Sequence, residues 1–251
     1  MLYRLQGLLG SPVTAPDGEI GRIEDVYFDD CRWVARYLVV DTGGWLSGRK
    51  VLISAISVGS IDWGRNLVHV GLNRQQVKAS PAIDTDKLAS RQLEGDFLDY
   101  YGHPYYWSGP SLWGMASHPV SPVGLISQAT NAPGTQGETP TAAHLRSVRH
   151  VTGHDLQATD DPIGCVEDFL LDDTGWAIRY LVVDARNWLP GRHVVIPPQW
   201  IKGVDWVERV VNVDVARDNV QAAPEYHSAQ DFSRRHETDF YRHYQRPGYW
   251  Q

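Results

Sequence analysis

Apolar residues in this chain come in short runs rather than in helical stripes. Trp33-Val34-Ala35-Arg36-Tyr37-Leu38-Val39-Val40 is rich in β-branched and aromatic residues. Asp29-Asp30 precedes it and Gly43-Gly44 follows, a punctuation that predicts a strand rather than a helix of the same length. Gly18-Glu19-Ile20-Gly21 after Pro16-Asp17 predicts a turn into a strand, and Ile23 to Phe28 alternates only in part. Lys50-Val51-Leu52-Ile53 and Leu67-Val68-His69-Val70 predict further short strands. Several short strands at this spacing, separated by turns, predict a small β-barrel in which closure removes exposed edges.

The pattern then changes. From Ser90 to Gly102, Leu93, Phe97 and Tyr101 recur at i, i+4 on one face, which predicts a short helix. Ser90 is placed to act as its N-cap, acidic side chains occupy the early turns, and Gly102 followed by Pro104 ends it. An aromatic tail, Tyr105-Tyr106-Trp107, follows.

Shifted by 143 residues, the sequence matches itself without a gap. Ile20-Gly21-Arg22-Ile23-Glu24-Asp25 faces Ile163-Gly164-Cys165-Val166-Glu167-Asp168, and Arg36-Tyr37-Leu38-Val39-Val40-Asp41 faces Arg179-Tyr180-Leu181-Val182-Val183-Asp184. Pro104-Tyr105-Tyr106-Trp107 faces Pro247-Gly248-Tyr249-Trp250 at the far end. The expected organisation is therefore a repeat over residues 1–107, a flexible linker over 108–144 and a second repeat over 145–251. In the second repeat Ser233, His236, Phe240 and Tyr244 take the helical positions. Eight of the ten tryptophans fall in matched pairs (33/176, 45/188, 63/206 and 107/250), which nominates them for the core. Each would bury about 150–250 Å², at most roughly 4–6 kcal/mol of stabilisation. The linker is rich in Gly, Pro, Ser and Thr, and Leu112, Trp113 and Leu125 suggest that part of it lies against a repeat.

Composition narrows the class. Of 251 residues, 42% are hydrophobic and 21% charged, as in a soluble globular protein. The formal charge of −7 divides into −2 for residues 1–107, −4 for residues 145–251 and Glu138 between them, so neither half has the basic composition that would attract nucleic acid. No apolar run reaches the roughly 18–20 residues needed to span a bilayer, and the opening residues lack the pattern of a signal peptide. Cys31 and Cys165 occupy unrelated places in their repeats and make no disulfide framework. A reduced, cytoplasmic setting is the expectation.

The run Gly18-Glu19-Ile20-Gly21-Arg22-Ile23-Glu24-Asp25-Val26, then Arg36-Tyr37-Leu38-Val39-Val40-Asp41 and Val51-Leu52-Ile53, resembles a PRC-barrel domain over about 75 residues of each repeat. The Ser-Arg-x-x-Glu helix and Pro-x-Tyr-Trp tail are similar to those of two-barrel bacterial members. The resemblance implies a mainly β fold of two small barrels, each followed by a short helix and aromatic tail. It also implies binding or assembly roles, as in the photosynthetic reaction-centre H subunit and the ribosome-maturation factor RimM. Neither specific job transfers: the H subunit has an N-terminal membrane helix, and RimM pairs its barrel with a different domain.

Residues with chemical potential point away from catalysis. The polar residues present in both repeats are Glu24/Glu167, Asp25/Asp168, Asp29/Asp172, Asp30/Asp173, Arg36/Arg179, Asp41/Asp184 and Arg49/Arg192. Paired carboxylates can serve acid–base work or bind Ca²⁺, but Asp29-Asp30 falls at an expected hairpin turn, where Asp side chains bond nearby backbone. Arg36 and Arg49 are expected to form ion pairs with acids. His150 and His154 are four apart without a helical stripe, and the sequence shows no nucleotide loop, nucleophile elbow or Cys/His nucleophile pair. The expectation is a non-catalytic protein-binding or scaffold module that needs no metal or cofactor. The alternatives are an H-subunit-like role in a photosynthetic complex and a small-ligand or RNA-associated binding module. Phe97, Tyr101, Tyr106 and Trp107, with Phe240, Tyr244, Tyr249 and Trp250, are the candidate interaction residues, toward an unidentified protein, a second copy or the other repeat.

Overall fold

The structure is a computed structural model that describes residues 1–81, 91–120, 144–185, 191–227 and 232–251, apart from the side chain of Gln92. The first repeat contributes β1 (Leu2–Arg4), β2 (Pro12–Ala15), β3 (Gly18–Asp29), β4 (Val34–Asp41), β5 (Lys50–Ser54), β6 (Val58–Asp62) and β7 (Leu67–Val70), then α1 (Arg74–Ala79) and α2 (Arg91–Tyr101). The second contributes β8 (Leu145–Ser147), α3 (Val148–Val151), β9 (Asp155–Gln157), β10 (Pro162–Asp172), β11 (Ala177–Asp184), β12 (His193–Ile196), β13 (Ile201–Asp205) and β14 (Val210–Val213), then α4 (Arg217–Gln221) and α5 (Arg234–His243). The predicted strands and the helix near 90–102 are present, and the fold is mainly β. Ser90 and most of the expected linker, residues 121–143, lie outside the described residues, as do Leu125 and Trp188.

The chain forms two compact units. The N-unit holds residues 7–148 with 174–177, and the C-unit holds 1–6, 149–173 and 178–251. In the N-unit the strands run β6-β7-β2-β3-β4-β5; in the C-unit they run β13-β14-β9-β10-β11-β12. Both paths are mixed: β2 lies parallel to β7 and β9 parallel to β14, while β2–β3, β3–β4, β4–β5, β6–β7, β9–β10, β11–β12 and β13–β14 are antiparallel. The expected closed barrel is not what forms. Among the described residues the end strands β5 and β6 do not pair with each other. A 3-10 turn over Ala55–Ser57, with the Ser54 hydroxyl accepting from the Ile56 N–H, carries the chain from β5 to β6, which pairs with β7 instead.

One strand of each unit comes from the other repeat's sequence. β1 pairs with the end of β10, Leu2 opposite Asp172 and Arg4 opposite Leu170, within the C-unit. β8 pairs with the end of β3, Leu145 opposite Asp29 and Ser147 opposite Tyr27, within the N-unit. The two registers coincide under the 143-residue shift, so the exchange is reciprocal. Arg4 Nε reaches Asp168 Oδ2 at 2.6 Å and its Nη2 reaches Glu167 Oε1 at 2.8 Å. The Gln6 N–H adds a bond to Asp168 Oδ1 at 3.0 Å. At the matching place in the N-unit the Ser147 hydroxyl donates to Asp25 Oδ2.

Glycine is required where β3 and β10 pass close to the following strand. A Cβ on Gly21 would lie 2.0 Å from the Asp41 carbonyl oxygen, and one on Gly164 would lie 2.0 Å from that of Asp184. Of the paired tryptophans that are described, only Trp33 and Trp176 are buried; Trp45, Trp63, Trp107, Trp206 and Trp250 are half-buried. Trp113 and Trp200, outside the matched pairs, are buried at 4% and 5% exposure and do what the pairs were expected to do. Trp113 donates from its indole N–H to the Gly175 carbonyl at 2.8 Å within the N-unit, so this part of the expected linker does lie against it.

Candidate functional site

Part of the set that recurs in both repeats converges on one polar and aromatic cluster per unit. In the N-unit, β4 supplies Arg36 and Tyr37, α2 supplies Arg91 and Glu94, the tail supplies Tyr106, and Asp29 ends β3. Glu94 is 3% exposed. Its Oε1 accepts from the Tyr106 hydroxyl at 2.7 Å and the Tyr37 hydroxyl at 3.1 Å, and its Oε2 accepts from Arg91 Nη1 at 3.1 Å. Arg36 is fully buried and donates to Asp29 Oδ2 at 3.0 Å and to the Leu112 carbonyl at 2.6 Å. Its guanidinium lies 3.8 Å from the Tyr106 ring centroid, and that of Arg91 lies 4.2 Å from Trp107.

The C-unit repeats this arrangement 143 residues on. Glu237 accepts from the Tyr180 hydroxyl at 2.8 Å and pairs with Arg234 at 3.0 Å. Arg179 donates to Asp172 Oδ2 at 2.8 Å and lies 4.2 Å from the Tyr249 ring; Arg234 lies 4.2 Å from Trp250. The Arg-x-x-Glu of the helix and the aromatic tail are therefore halves of one clasp: the acid holds the tail's tyrosine and the arginine stacks on its tryptophan.

Burial sets the electrostatics. Desolvation pushes the Glu94 carboxyl above its ordinary value, against the lowering effect of the Tyr106 hydroxyl and the Arg91 charge. Desolvation lowers Arg36, with Asp29 opposing. The Tyr37 and Tyr106 hydroxyls are driven well up by burial, so they stay protonated and act as donors. A clasp of this kind holds an element in place.

Most other shared polar residues have structural partners. Asp29 Oδ1 accepts from the Cys31 N–H at 2.9 Å in the β3–β4 turn, the role expected of it, and Arg36 makes the expected ion pair. Asp25 and Asp168 accept from the N–H groups of Val26 and Phe169 at 2.8 and 2.7 Å. Glu24 pairs with Lys50 at 2.9 Å, Glu167 with His193 at 2.6 Å, and Asp41 accepts from the Gly43 N–H at 2.8 Å. Arg49 differs from expectation: its partners among the described residues are the carbonyls of Lys78, Ser80 and Pro81 and the Ser80 hydroxyl. Segment 78–81 crosses within its reach and offers several carbonyl acceptors together. Arg192 does reach an acid, Glu225, at 3.7 Å.

The nominated aromatics pack inward within their own units. Phe97, Tyr106 and Phe240 are buried, and Tyr101, Trp107, Tyr244, Tyr249 and Trp250 are half-buried. Phe97 meets Tyr37 edge-on at 5.5 Å, and Phe240 stacks on Trp200 at 5.5 Å. The helical face is shifted by one residue from the predicted one: Glu94, Phe97 and Leu98 are buried while Leu93 is 43% exposed, because the buried acid was not legible as an inward position. The exposed aromatic surface of this arm is Tyr100 and Tyr105, which sequence reasoning did not single out.

A second grouping escaped the sequence altogether. Cys31 Sγ lies 3.2 Å from His144 Nδ1, which lies 3.4 Å from Asp30 Oδ1; Cys31 Sγ and Asp30 Oδ1 are 3.8 Å apart. The expectation of no metal-ligating set rested on spacing, and His144 is 113 residues from Cys31. The β3–β8 pairing brings them together. His150 and His154 do face each other, with ring centroids 5.7 Å apart.

The PRC-barrel domain family matches residues 2–71, from β1 through β7. No curated protein matches the chain. Among the described residues no helix is long and apolar enough to cross a membrane.

Proposed function

We propose that this chain is a non-catalytic protein-assembly module made of two PRC-barrel-type units in tandem. The family match to residues 2–71 and the 143-residue internal register support the tandem reading. The observation that carries the functional reading is how the duplicated polar residues are used. Asp29/Asp172, Arg36/Arg179, Tyr37/Tyr180, Arg91/Arg234 and Glu94/Glu237 are engaged in holding the aromatic arm to its sheet. What both copies keep is therefore a scaffold, and the partner surface lies outside it. On the first arm that surface is Tyr100 and Tyr105, at 41% and 37% exposure; exposed aromatics of this kind are the usual anchors of protein interfaces.

The test is capture of a partner from a cell lysate followed by reconstitution from the two purified proteins. A stoichiometric complex is expected, weakened about tenfold by Tyr100→Ser with Tyr105→Ser while the circular dichroism is unchanged. A captured protein that does not bind once purified, or that binds the double variant equally well, overturns this reading.

A further inference from the structure

We propose that Asp30, Cys31 and His144 form a three-ligand site for a divalent transition metal, with zinc the best match. The donors are a thiolate, an imidazole and a carboxylate, the set that zinc takes in tetrahedral sites. With zinc–sulfur about 2.3 Å and zinc–nitrogen and zinc–oxygen about 2.0–2.2 Å, a regular tetrahedron puts sulfur and nitrogen about 3.6 Å apart, nitrogen and oxygen about 3.4 Å, and sulfur and oxygen about 3.6 Å. The measured edges are 3.2, 3.4 and 3.8 Å. The three donors already stand on one triangular face of the coordination shell, and each needs to move by no more than a few tenths of an ångström.

The surroundings suit such a site. Arg146 Nε donates to Asp30 Oδ2 at 2.7 Å, which fixes the carboxylate and leaves Oδ1 turned to the other two donors. A hydrogen-bonded carboxylate of this sort is the ordinary outer support of a metal ligand. The Asp30 N–H donates to the His144 carbonyl at 2.9 Å, and Leu145 pairs with Asp29 in the ladder next to it. Both sides of the site are thus held by backbone. Cys31 is exposed, so a metal can enter and a water can take the fourth position. At the matching positions of the second repeat, Asp173 and Thr174 carry neither thiol nor imidazole, so the site belongs to the N-unit alone. A bound metal would staple the exchanged strand β8 to the end of β3. Binding releases the thiol proton to solvent as the Cys31 sulfur–metal bond forms.

Cobalt(II) titration of the full chain provides the test, since a cobalt–thiolate bond gives a near-ultraviolet charge-transfer band and tetrahedral cobalt gives intense visible bands. We expect one cobalt per chain, displaced by zinc. Removing even an outer-shell partner of a metal typically costs about 10–100-fold in affinity, so Cys31→Ser and His144→Ala should each weaken binding at least about 100-fold. Cys31→Ser should also abolish the charge-transfer band. In the unaltered protein, zinc should slow alkylation of Cys31 and leave that of Cys165 unchanged. Absence of the band, its persistence in Cys31→Ser, or alkylation of Cys31 indifferent to zinc overturns the proposal.

Discussion

Ser57 and His103 in the first repeat stand where Trp200 and Arg246 stand in the second. The Ser57 hydroxyl bonds His103 Nε2 at 2.8 Å, whereas the Arg246 guanidinium lies 4.8 Å over the Trp200 ring. One position pair is filled by a hydrogen bond in one copy and by cation–π contact in the other. The difference has a pH signature. Desolvation lowers His103 to about 4, below an unfolded value near 6.5, so the ring is neutral in the fold and charges on unfolding. Its contribution to stability is complete above about pH 6.5 and is lost as pH falls toward 4, by about 1.4 kcal/mol per pH unit. Between pH 6.5 and 5, His103→Gln should therefore lose about 2 kcal/mol less stability than the unaltered protein, measured by urea unfolding. Equal losses would place the histidine outside the balance. The buried acid of the clasp makes a second prediction. Glu94→Ala strips the partner from Arg91 and from two tyrosine hydroxyls, and should cost about 3–5 kcal/mol. Glu94→Gln keeps an acceptor and should cost about 1–2 kcal/mol in the same unfolding measurement. Similar small losses for both would mean that the clasp contributes little.

At the scale of elements, local signals are legible in the sequence and non-local ones are not. β7 occupies Leu67–Val70, the short strand expected there, and β4 starts one residue after the predicted run. Trp33, the first residue of that run, instead sits in the turn with φ of 54°, as Trp176 does with φ of 56°. Hydropathy placed Leu93 inside because leucine is apolar and Glu94 is charged. The structure reverses them, since three donors around Glu94 offset its desolvation. Short strands at this spacing, separated by turns, point to closure, but neither their number nor their spacing says whether the end strands meet. The site at Asp30, Cys31 and His144 depends on β8 reaching β3, a pairing across 116 residues between Asp29 and Leu145 that no periodicity encodes.

At the scale of the whole chain, the internal register and the strand exchange have to be read together. The register assigns β1 to the first repeat and β8 to the second, and the family match also begins at residue 2. The ladders assign the same strands the other way round, β1 to β10 and β8 to β3. Each unit therefore needs residues from both halves of the sequence: 1–6 complete the C-unit, and 145–148 with 174–177 complete the N-unit. Arg4 on Asp168 and Ser147 on Asp25 make the two exchanged strands chemically distinct, so one is a poor substitute for the other. The two halves of the sequence are thus joined by strand ladders inside each unit as well as by the connecting chain. The most direct measurement is to produce residues 1–120 and 144–251 as separate polypeptides and examine them apart and mixed by sedimentation and thermal unfolding. The exchange predicts a one-to-one complex with a single cooperative melt, and poor folding of either fragment alone. Two fragments that stay monomeric when mixed and each melt cooperatively alone would contradict it.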